Sequence, residues 1–285
     1  MKKIFFALIA LAATVATAQE ISGEATYLSK TKMDTSWMDE NRNLTPEQRK
    51  RIEQNMKKMS EKTFTLTFNR NESMYKEEKE LQTPGRGGRG WGNWMGTSMS
   101  GDKYKNLEEK VWLEERDMFG KQFLVTDSLH TIEWEITGEQ RQIGQYPAIK
   151  AIGTKKNNSL DWSSFRRRQP RNAEEKKKDS IAMKEGRFED VYEQADEIQV
   201  VAWFTPAIPV QHGPAEYGGL PGLILELNAG ETTLLCSKVV MNPAEPEEIK
   251  KPKKGEVINE EDYNELFTKK MQEMRQRFRG RGRRG

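Results

Sequence analysis

The sequence predicts a mainly β protein with accessory helices: a curved antiparallel sheet or open partial barrel with a packed helix, plus a C-terminal amphipathic helix. Short strand-like runs follow one another, separated by candidate turn residues such as Gly138 and Gly153. Strands and helices do not alternate along the chain, which disfavours a parallel nucleotide-binding sheet. Two strongly apolar runs flank a loop rich in proline and glycine, a pattern typical of two buried strands.

That stretch, residues 203–227, has the sequence WFTPAIPVQHGPAEYGGLPGLILEL. The run that leads into it, residues 198–204, is apolar on both alternating faces, as expected for a central strand. Pro206 and Pro209 cannot donate a hydrogen bond to a sheet, so the strand should end before them. We therefore expect a tightly folded corner that joins two buried β-segments.

The run after the loop predicts the next strand of a hairpin. Its side chains should alternate, with Leu223, Leu225 and Leu227 on one face and Ile224 and Glu226 on the other. Residues 228–230, Asn-Ala-Gly, are typical of a hairpin turn into a further strand over residues 232–240. Earlier in the chain, Phe64, Leu66 and Phe68 alternate in the same way and should face inward.

Two amphipathic helices are predicted. Thr45, Pro46 and Gln48 are the residue types of a capping-box start. Asn259 can cap the second helix, with Asp262 three residues later. The apolar stripes that follow are Ile52, Met56 and Met59 in the first helix, and Tyr263, Leu266, Phe267, Met271, Met274 and Phe278 in the second.

The N-terminus resembles a signal peptide. Lys2 and Lys3 precede an apolar run over residues 4–15, and Ala16-Thr17-Ala18 is the small-residue pattern that a signal peptidase cuts. Residues 1–18 should therefore be removed, and the protein should be periplasmic or secreted. No later stretch reaches the roughly 20 apolar residues that a membrane span needs.

The mature chain is expected to contain one antiparallel β domain, residues 19–242, with flexible insertions at about 83–101 and 163–187. Residues 243–258 are rich in Pro, Glu and Lys and predict a linker, and residues 259–285 predict the C-terminal helix and an Arg/Gly-rich tail. The composition, 35% hydrophobic and 32% charged, fits a compact core with solvated insertions.

Residues 219–224 spell GLPGLI, the motif that names the GLPGLI family of exported proteins, found mostly in Bacteroidota. Residues 203–205, 208–209 and 213–214 also resemble that family's pattern, and so do residues 133–136 and 145–151 upstream. The resemblance covers residues 23–240. It implies an exported protein but no particular chemistry, because the family has no agreed biochemical function.

The residues that catalysis needs are scarce. The chain has two histidines, His130 and His212, and its single cysteine, Cys236, has no intrachain disulfide partner. No zinc-ligand spacing and no G-x-S-x-G motif occurs. Thirteen methionines could suggest a copper site, but Met56 and Met59 already fit a helix stripe. We therefore expect a non-enzymatic protein without metal or cofactor, in which His212 is the best single candidate for an acid/base or ligand-contacting group.

Two binding hypotheses remain. In the first, a concave sheet face holds an apolar ligand or peptide, lined by Trp203, Phe204, His212, Tyr217, Gly219, Leu220, Pro221 and Gly222. In the second, basic arms dock an envelope protein or an anionic polymer, through Arg166, Arg167, Arg168, Arg279, Arg281, Arg283 and Arg284. The Gly-rich insertion with Arg86, Arg89 and Trp91 resembles single-strand binders, but an exported protein seldom meets nucleic acid.

Overall fold

The structure, a computed structural model, describes residues 21–32, 35, 44–78, 101–129, 131–156, 165–167, 172–184, 191–194 and 197–281. The strands are β1 (Ser22–Thr31), β2 (Glu61–Asn69), β3 (Glu72–Glu77), β4 (Lys103–Asn106), β5 (Val111–Met118), β6 (Lys121–Ser128), β7 (Trp134–Ile143), β8 (Tyr146–Lys156), β9 (Phe165–Arg167), β10 (Tyr192–Gln194), β11 (Glu197–Thr205), β12 (Leu223–Ala229), β13 (Thr232–Met241) and β14 (Glu256–Ile258). The helices are α1 (Pro46–Ser60), α2 (Ala173–Lys184) and α3 (Glu260–Arg281).

Twelve of these strands form one open sheet, in the order β14-β6-β5-β4-β3-β2-β1-β13-β12-β11-β8-β7. Neighbouring strands are antiparallel throughout, except that β14 pairs with β6 in parallel. The predicted mainly β fold with an open antiparallel sheet and accessory helices is therefore confirmed.

One face of the sheet, here called the inner face, carries most of the apolar side chains. In β2, Phe64, Leu66 and Phe68 share this face, as predicted, and Leu66 and Phe68 are almost completely buried. Phe204 on β11 and Leu227 on β12 lie on it as well. The core therefore follows the inner face across the middle of the sheet.

Strand β12 differs from the predicted alternation. Trp203 pairs with Glu226, but Phe204 pairs with Ile224, so Leu225 is the extra residue of a β-bulge. Ile224 and Leu227 consequently pack in one cluster, while Leu225 packs in another together with Leu223. The expectation that the three leucines share one face was wrong, because side chains alternate regularly only where the strand pairing is unbroken.

The two glycines predicted to lie in turns are inside strands. Gly138, at φ 79°, falls where the pairing of β7 with β8 shifts between Ile136 and Gln140. Gly153 is within β8, where a Cβ atom would come within 2.5 Å of the side chain of Ile132. The first glycine thus permits a bulge and the second a close approach, and neither ends a strand.

Both predicted helix starts are present. The Thr45 hydroxyl accepts a hydrogen bond from the backbone N–H of Gln48 at 3.2 Å, and the Gln48 side chain accepts one from the Thr45 N–H at 2.9 Å. Asn259 Oδ1 accepts from the Asp262 N–H at 2.8 Å. Tyr263 of α3 then stacks edge-on against Phe123 of β6, with ring centres 5.5 Å apart, so α3 covers the inner face at this end of the sheet.

Residues 243–255, predicted as a linker, cross the opposite face of β2 to β6. Ile249 packs against the cluster that contains Tyr104 and Leu113, and Glu247 accepts a hydrogen bond from Lys76 at 2.5 Å. This segment therefore covers apolar surface, although it has no regular secondary structure before β14.

Parts of the predicted insertions can also be placed. Within 163–187 the structure describes β9 and α2, and β9 pairs with β10 in a separate two-stranded sheet. The signal segment 1–18, the insertion at 83–100 and His130 lie outside the described residues. Of the helices that the structure describes, none is long and apolar enough to cross a membrane.

Candidate functional site

The loop between β11 and β12, residues 206–222, lies against the inner face and is called the plug loop below. Ile208 and Val210 pack with Leu66 and Phe68, and Leu220 packs with Phe204. Ile208, Val210 and Leu220 are at most 2% exposed. The predicted corner between two buried strands is therefore confirmed, and this corner fills the concave side of the sheet.

Hydrogen bonds hold the plug loop in one conformation. The Gly219 N–H donates to the Gln211 carbonyl at 3.0 Å, across a short bridge between His212 and Gly218. Trp134 on β7 donates its indole N–H to the Gly218 carbonyl at 2.9 Å. Because strand and loop share these bonds, the loop is part of the folded core.

A cluster of buried charges joins the plug loop to distant strands. The Glu216 carboxylate accepts a hydrogen bond from Lys155 Nζ on β8 at 2.5 Å and from Lys103 Nζ on β4 at 3.2 Å. These strands are the eleventh and the fourth in the sheet order. The sheet must therefore curl around the loop, so that Glu216 ties its two halves together.

The same cluster extends to β5. Lys103 Nζ lies 3.6 Å from Glu114, whose carboxylate also accepts a hydrogen bond from the Arg116 guanidinium at 2.9 Å. The Glu114 and Arg116 side chains are at most 5% exposed. Burial alone would raise the pKa of Glu216, but the charges of Lys103 and Lys155 outweigh it and hold this pKa well below its ordinary value.

Lys105, beside this cluster, binds the plug loop through backbone atoms. Its Nζ donates hydrogen bonds to the carbonyls of Gly213 and Tyr217, both at 2.8 Å, and the residue is only 2% exposed. Burial lowers the pKa of Lys105 to about 7, with Glu216 opposing and Lys103 adding to the effect. The amine thus satisfies the carbonyls of two buried loop residues.

His212 is completely buried, and its Nε2 lies 3.0 Å from the carbonyl of Asn69 in the β2–β3 turn. Burial lowers the pKa of His212 to about 3, so the ring is neutral and donates from Nε2. The ring also contacts Phe68, with centres 6.2 Å apart. These contacts anchor the plug loop to β2 and place the imidazole away from solvent.

The residues predicted to bind a ligand do not form one surface. Phe204, Tyr217 and Leu220 are buried at 1 to 4% exposure. Trp203 lies on the opposite face of the sheet from Phe204, where its ring stacks on the Arg141 guanidinium at 4.0 Å. The others divide between the surface and the interior: Gly219 and Pro221 are exposed, and His212 and Gly222 are buried.

An open cleft of about 380 Å³ lies beside the plug loop. Three chain segments line it: the β2–β3 turn, the β4–β5 turn and the start of the plug loop. A backbone hydrogen bond from Leu107 to the Asn71 carbonyl, at 2.8 Å, joins the two turns. The lining residues are Arg70, Asn71, Leu107, Glu108, Pro209, Val210 and Gln211.

Sequence reasoning missed both the charge cluster and the cleft. Lys103 and Lys105 alternate with Tyr104 in a short strand, a pattern that ordinarily indicates solvent-facing lysines.

The described residues contain no group of three or more His, Cys, Asp or Glu side chains suited to a metal ion. Burial raises the pKa of the Cys236 thiol to about 11, so it carries little thiolate at neutral pH.

A family model described as "Protein of unknown function (Porph_ging)" matches residues 134–226, less than half of the chain. The match runs from β7 to β12 and includes the whole plug loop. No curated protein matches the sequence.

Two solved structures of PNGF-II, in space groups C2 and P21, are similar to this chain at 12% and 13% identity, each with a TM-score of 0.44. They cover 87% of this chain, which spans 33% and 34% of theirs. The chain therefore spans about a third of the length of the PNGF-II chains that it matches.

Proposed function

We propose that this is an exported, non-enzymatic binding protein of the GLPGLI family, and that its ligand binds in the cleft beside the plug loop. The observation that carries the proposal is the filled inner face. Since the plug loop occupies the concave side of the sheet, a small molecule would have to bind elsewhere, and the adjoining cleft offers space for one. Its volume of about 380 Å³ is within the range of small-ligand sites.

The buried position of His212 supports a non-enzymatic role. A general acid or base must reach its substrate within hydrogen-bond distance, but this imidazole is sealed between Asn69 and Phe68. The plug loop then serves to shape one wall of the cleft, with Pro209, Val210 and Gln211.

One experiment tests both export and binding. The full chain is expressed with its own N-terminus, and mass spectrometry is run under denaturing and native conditions. Under denaturing conditions we expect the mass of a mature protein that begins at Gln19. Under native conditions we expect the wild type to carry a small molecule, either co-purified or added. The Gln211→Trp variant should not carry it, because the indole would fill the cleft. Gln122→Trp, at an exposed position of β6 away from the cleft, is the matched control. Equal ligand retention by the two variants would contradict the site, and an uncleaved N-terminus would contradict export.

A second candidate function is the docking of an anionic envelope polymer, which the charge distribution of α3 favours. Its first turn is acidic, with Glu260, Glu261 and Asp262. Tyr263, Leu266, Phe267 and Met271 pack it on the sheet, and six arginines follow within residues 275–284. Basic residues near a helix C-terminus also complement the helix dipole.

For this second function, a chain that ends at Met274 is expected to elute from a heparin column at much lower salt than the full chain, because attraction to a polyanion depends on the arginine charges. Replacing the six arginines by lysine should restore late elution. Unfolding curves of the full and shortened chains should agree, since the shortened chain keeps Tyr263, Leu266, Phe267 and Met271, which pack α3 on the sheet. Unchanged elution of the shortened chain would exclude the tail as the docking element.

A further inference from the structure

We infer that the cleft beside the plug loop recognises a zwitterion with an apolar side chain, that is, a free apolar amino acid or a short apolar peptide. This inference rests on the proposed binding role of the cleft. It follows from the juxtaposition, around a single space, of a cation and an anion that form no ion pair with any described residue, with the apolar surface of Leu107 and Pro209 between them.

The cation is Arg70, in the turn between β2 and β3. Its side chain is exposed, and its guanidinium makes no ion pair or hydrogen bond within the described part of the chain. By contrast, the buried cations Lys103, Lys105 and Lys155 all have carboxylate or carbonyl partners. A guanidinium offers two parallel N–H donors that match a carboxylate. Arg70 is therefore available to hold a ligand carboxylate.

The anion is Glu108, in the turn between β4 and β5. Its carboxylate accepts one hydrogen bond, from the Asn71 amide at 3.2 Å, and forms no ion pair within the described chain. The adjacent Glu109 is instead paired with Lys251 at 2.5 Å. Glu108 therefore keeps acceptor capacity for an ammonium group, and its charge disfavours phosphate or any other ligand that carries only negative charge.

Leu107 and Pro209 supply the apolar part of the wall between these two groups. Val210, which follows Pro209 in the chain, is 2% exposed and packed in the core. Val210 is held by its place in the plug loop, where its N–H donates to the Ile208 carbonyl at 2.8 Å. Because this wall is already fixed, little conformational entropy is lost when a ligand binds. Its apolar part suits an aliphatic or aromatic side chain of the ligand.

Calorimetric titration of the mature protein tests the inference with a matched set of ligands. L-leucine and the dipeptide Leu-Leu represent the two sources of the chemistry. 4-Methylpentanoate lacks the ammonium group, 3-methylbutylamine lacks the carboxylate, and glycine lacks the apolar side chain. We expect leucine or Leu-Leu to bind, and each analogue to bind at least about tenfold more weakly. A hydrogen bond to a charged group contributes about that factor, and so does burial of a leucine side chain, which glycine lacks.

Variants locate the binding. Arg70→Gln and Glu108→Gln should each weaken the zwitterion about tenfold or more, while Arg51→Gln and Glu231→Gln, exposed and outside the cleft, should not change it. Arg70→Gln should lower the affinity for leucine and for 4-methylpentanoate alike, because both carry a carboxylate. Glu108→Gln should lower the affinity only for ligands with an ammonium group. Zwitterion binding that is indifferent to both cleft variants would overturn the inference. A different small molecule displaced by Gln211→Trp would overturn the ligand class and leave the proposed binding site intact.

Discussion

Replacing Glu216 by alanine is expected to lower the free energy of unfolding by about 3 to 5 kcal/mol, the range for breaking a buried ion pair from one side. The variant leaves Lys103 and Lys155 as buried cations that have lost their shared carboxylate. It also removes the link between β4 and β8. Urea unfolding at pH 7, followed by tryptophan fluorescence, measures the loss.

The matched control is Glu247→Ala, which removes a carboxylate from an exposed pair with Lys76. The two side chains of that pair are 38% and 48% exposed, so the loss should be at most about 1 kcal/mol. If the two alanine variants unfold at the same urea concentration, Glu216 does not hold the plug loop in place.

The Glu216 contribution also has a defined pH dependence. The pKa of Glu216 is held well below its ordinary value of 4.5, so the unfolded chain binds the proton more readily than the folded one. The stabilisation is therefore fully present above pH 4.5 and is lost as the pH falls through the folded-state pKa. The difference in unfolding free energy between the wild type and Glu216→Gln should accordingly shrink in acid, as the pH falls through the folded-state pKa of Glu216.

Replacing Gly222 by alanine is expected to destabilise the protein by about 3 kcal/mol or more, a large overpacking effect. A Cβ atom at this position would lie 2.2 Å from the carbonyl oxygen of Thr205 and 2.6 Å from its carbonyl carbon. Both are backbone atoms at the end of β11, so no side-chain rotation can relieve the contact. The strand end and the plug loop would have to separate.

Gly120→Ala is the control for this substitution. Gly120 has φ 81°, and a Cβ atom added to it would have no neighbouring atom within 4 Å. Alanine there should therefore lower the free energy of unfolding by only about 1 to 2 kcal/mol, the strain of a left-handed backbone conformation in a residue with a Cβ atom. Thermal unfolding followed by circular dichroism compares the two. A Gly222→Ala protein as stable as Gly120→Ala would show that the corner tolerates expansion.

Much of the fold follows from short-range sequence. The capping residues Thr45 and Gln48 mark a helix start because their bonds form within one turn. Pro206 and Pro209 end β11 because a proline nitrogen has no hydrogen to donate, wherever the strand lies. The alternation in β2 was sufficient to place Phe64, Leu66 and Phe68 on the buried face.

The site, in contrast, depends on contacts between residues far apart in the chain. Lys103 and Glu216 are 113 positions apart, and a strand lysine looks solvent-facing until its partner is known. The bulge at Leu225 is also a property of pairing, since only the register with β11 shows which residue is extra.

The amino-acid order alone was thus enough to predict most strands, two of the helices and the rigid loop, because each of these depends on backbone chemistry within a few residues. That this loop fills the concave face, and that a cleft opens beside it, became visible only in the folded chain. Curling the sheet brings β4 and β8 to the same loop, where Glu216 pairs with Lys103 and Lys155. Such pairs join residues far apart in the chain, so local sequence patterns do not reveal them.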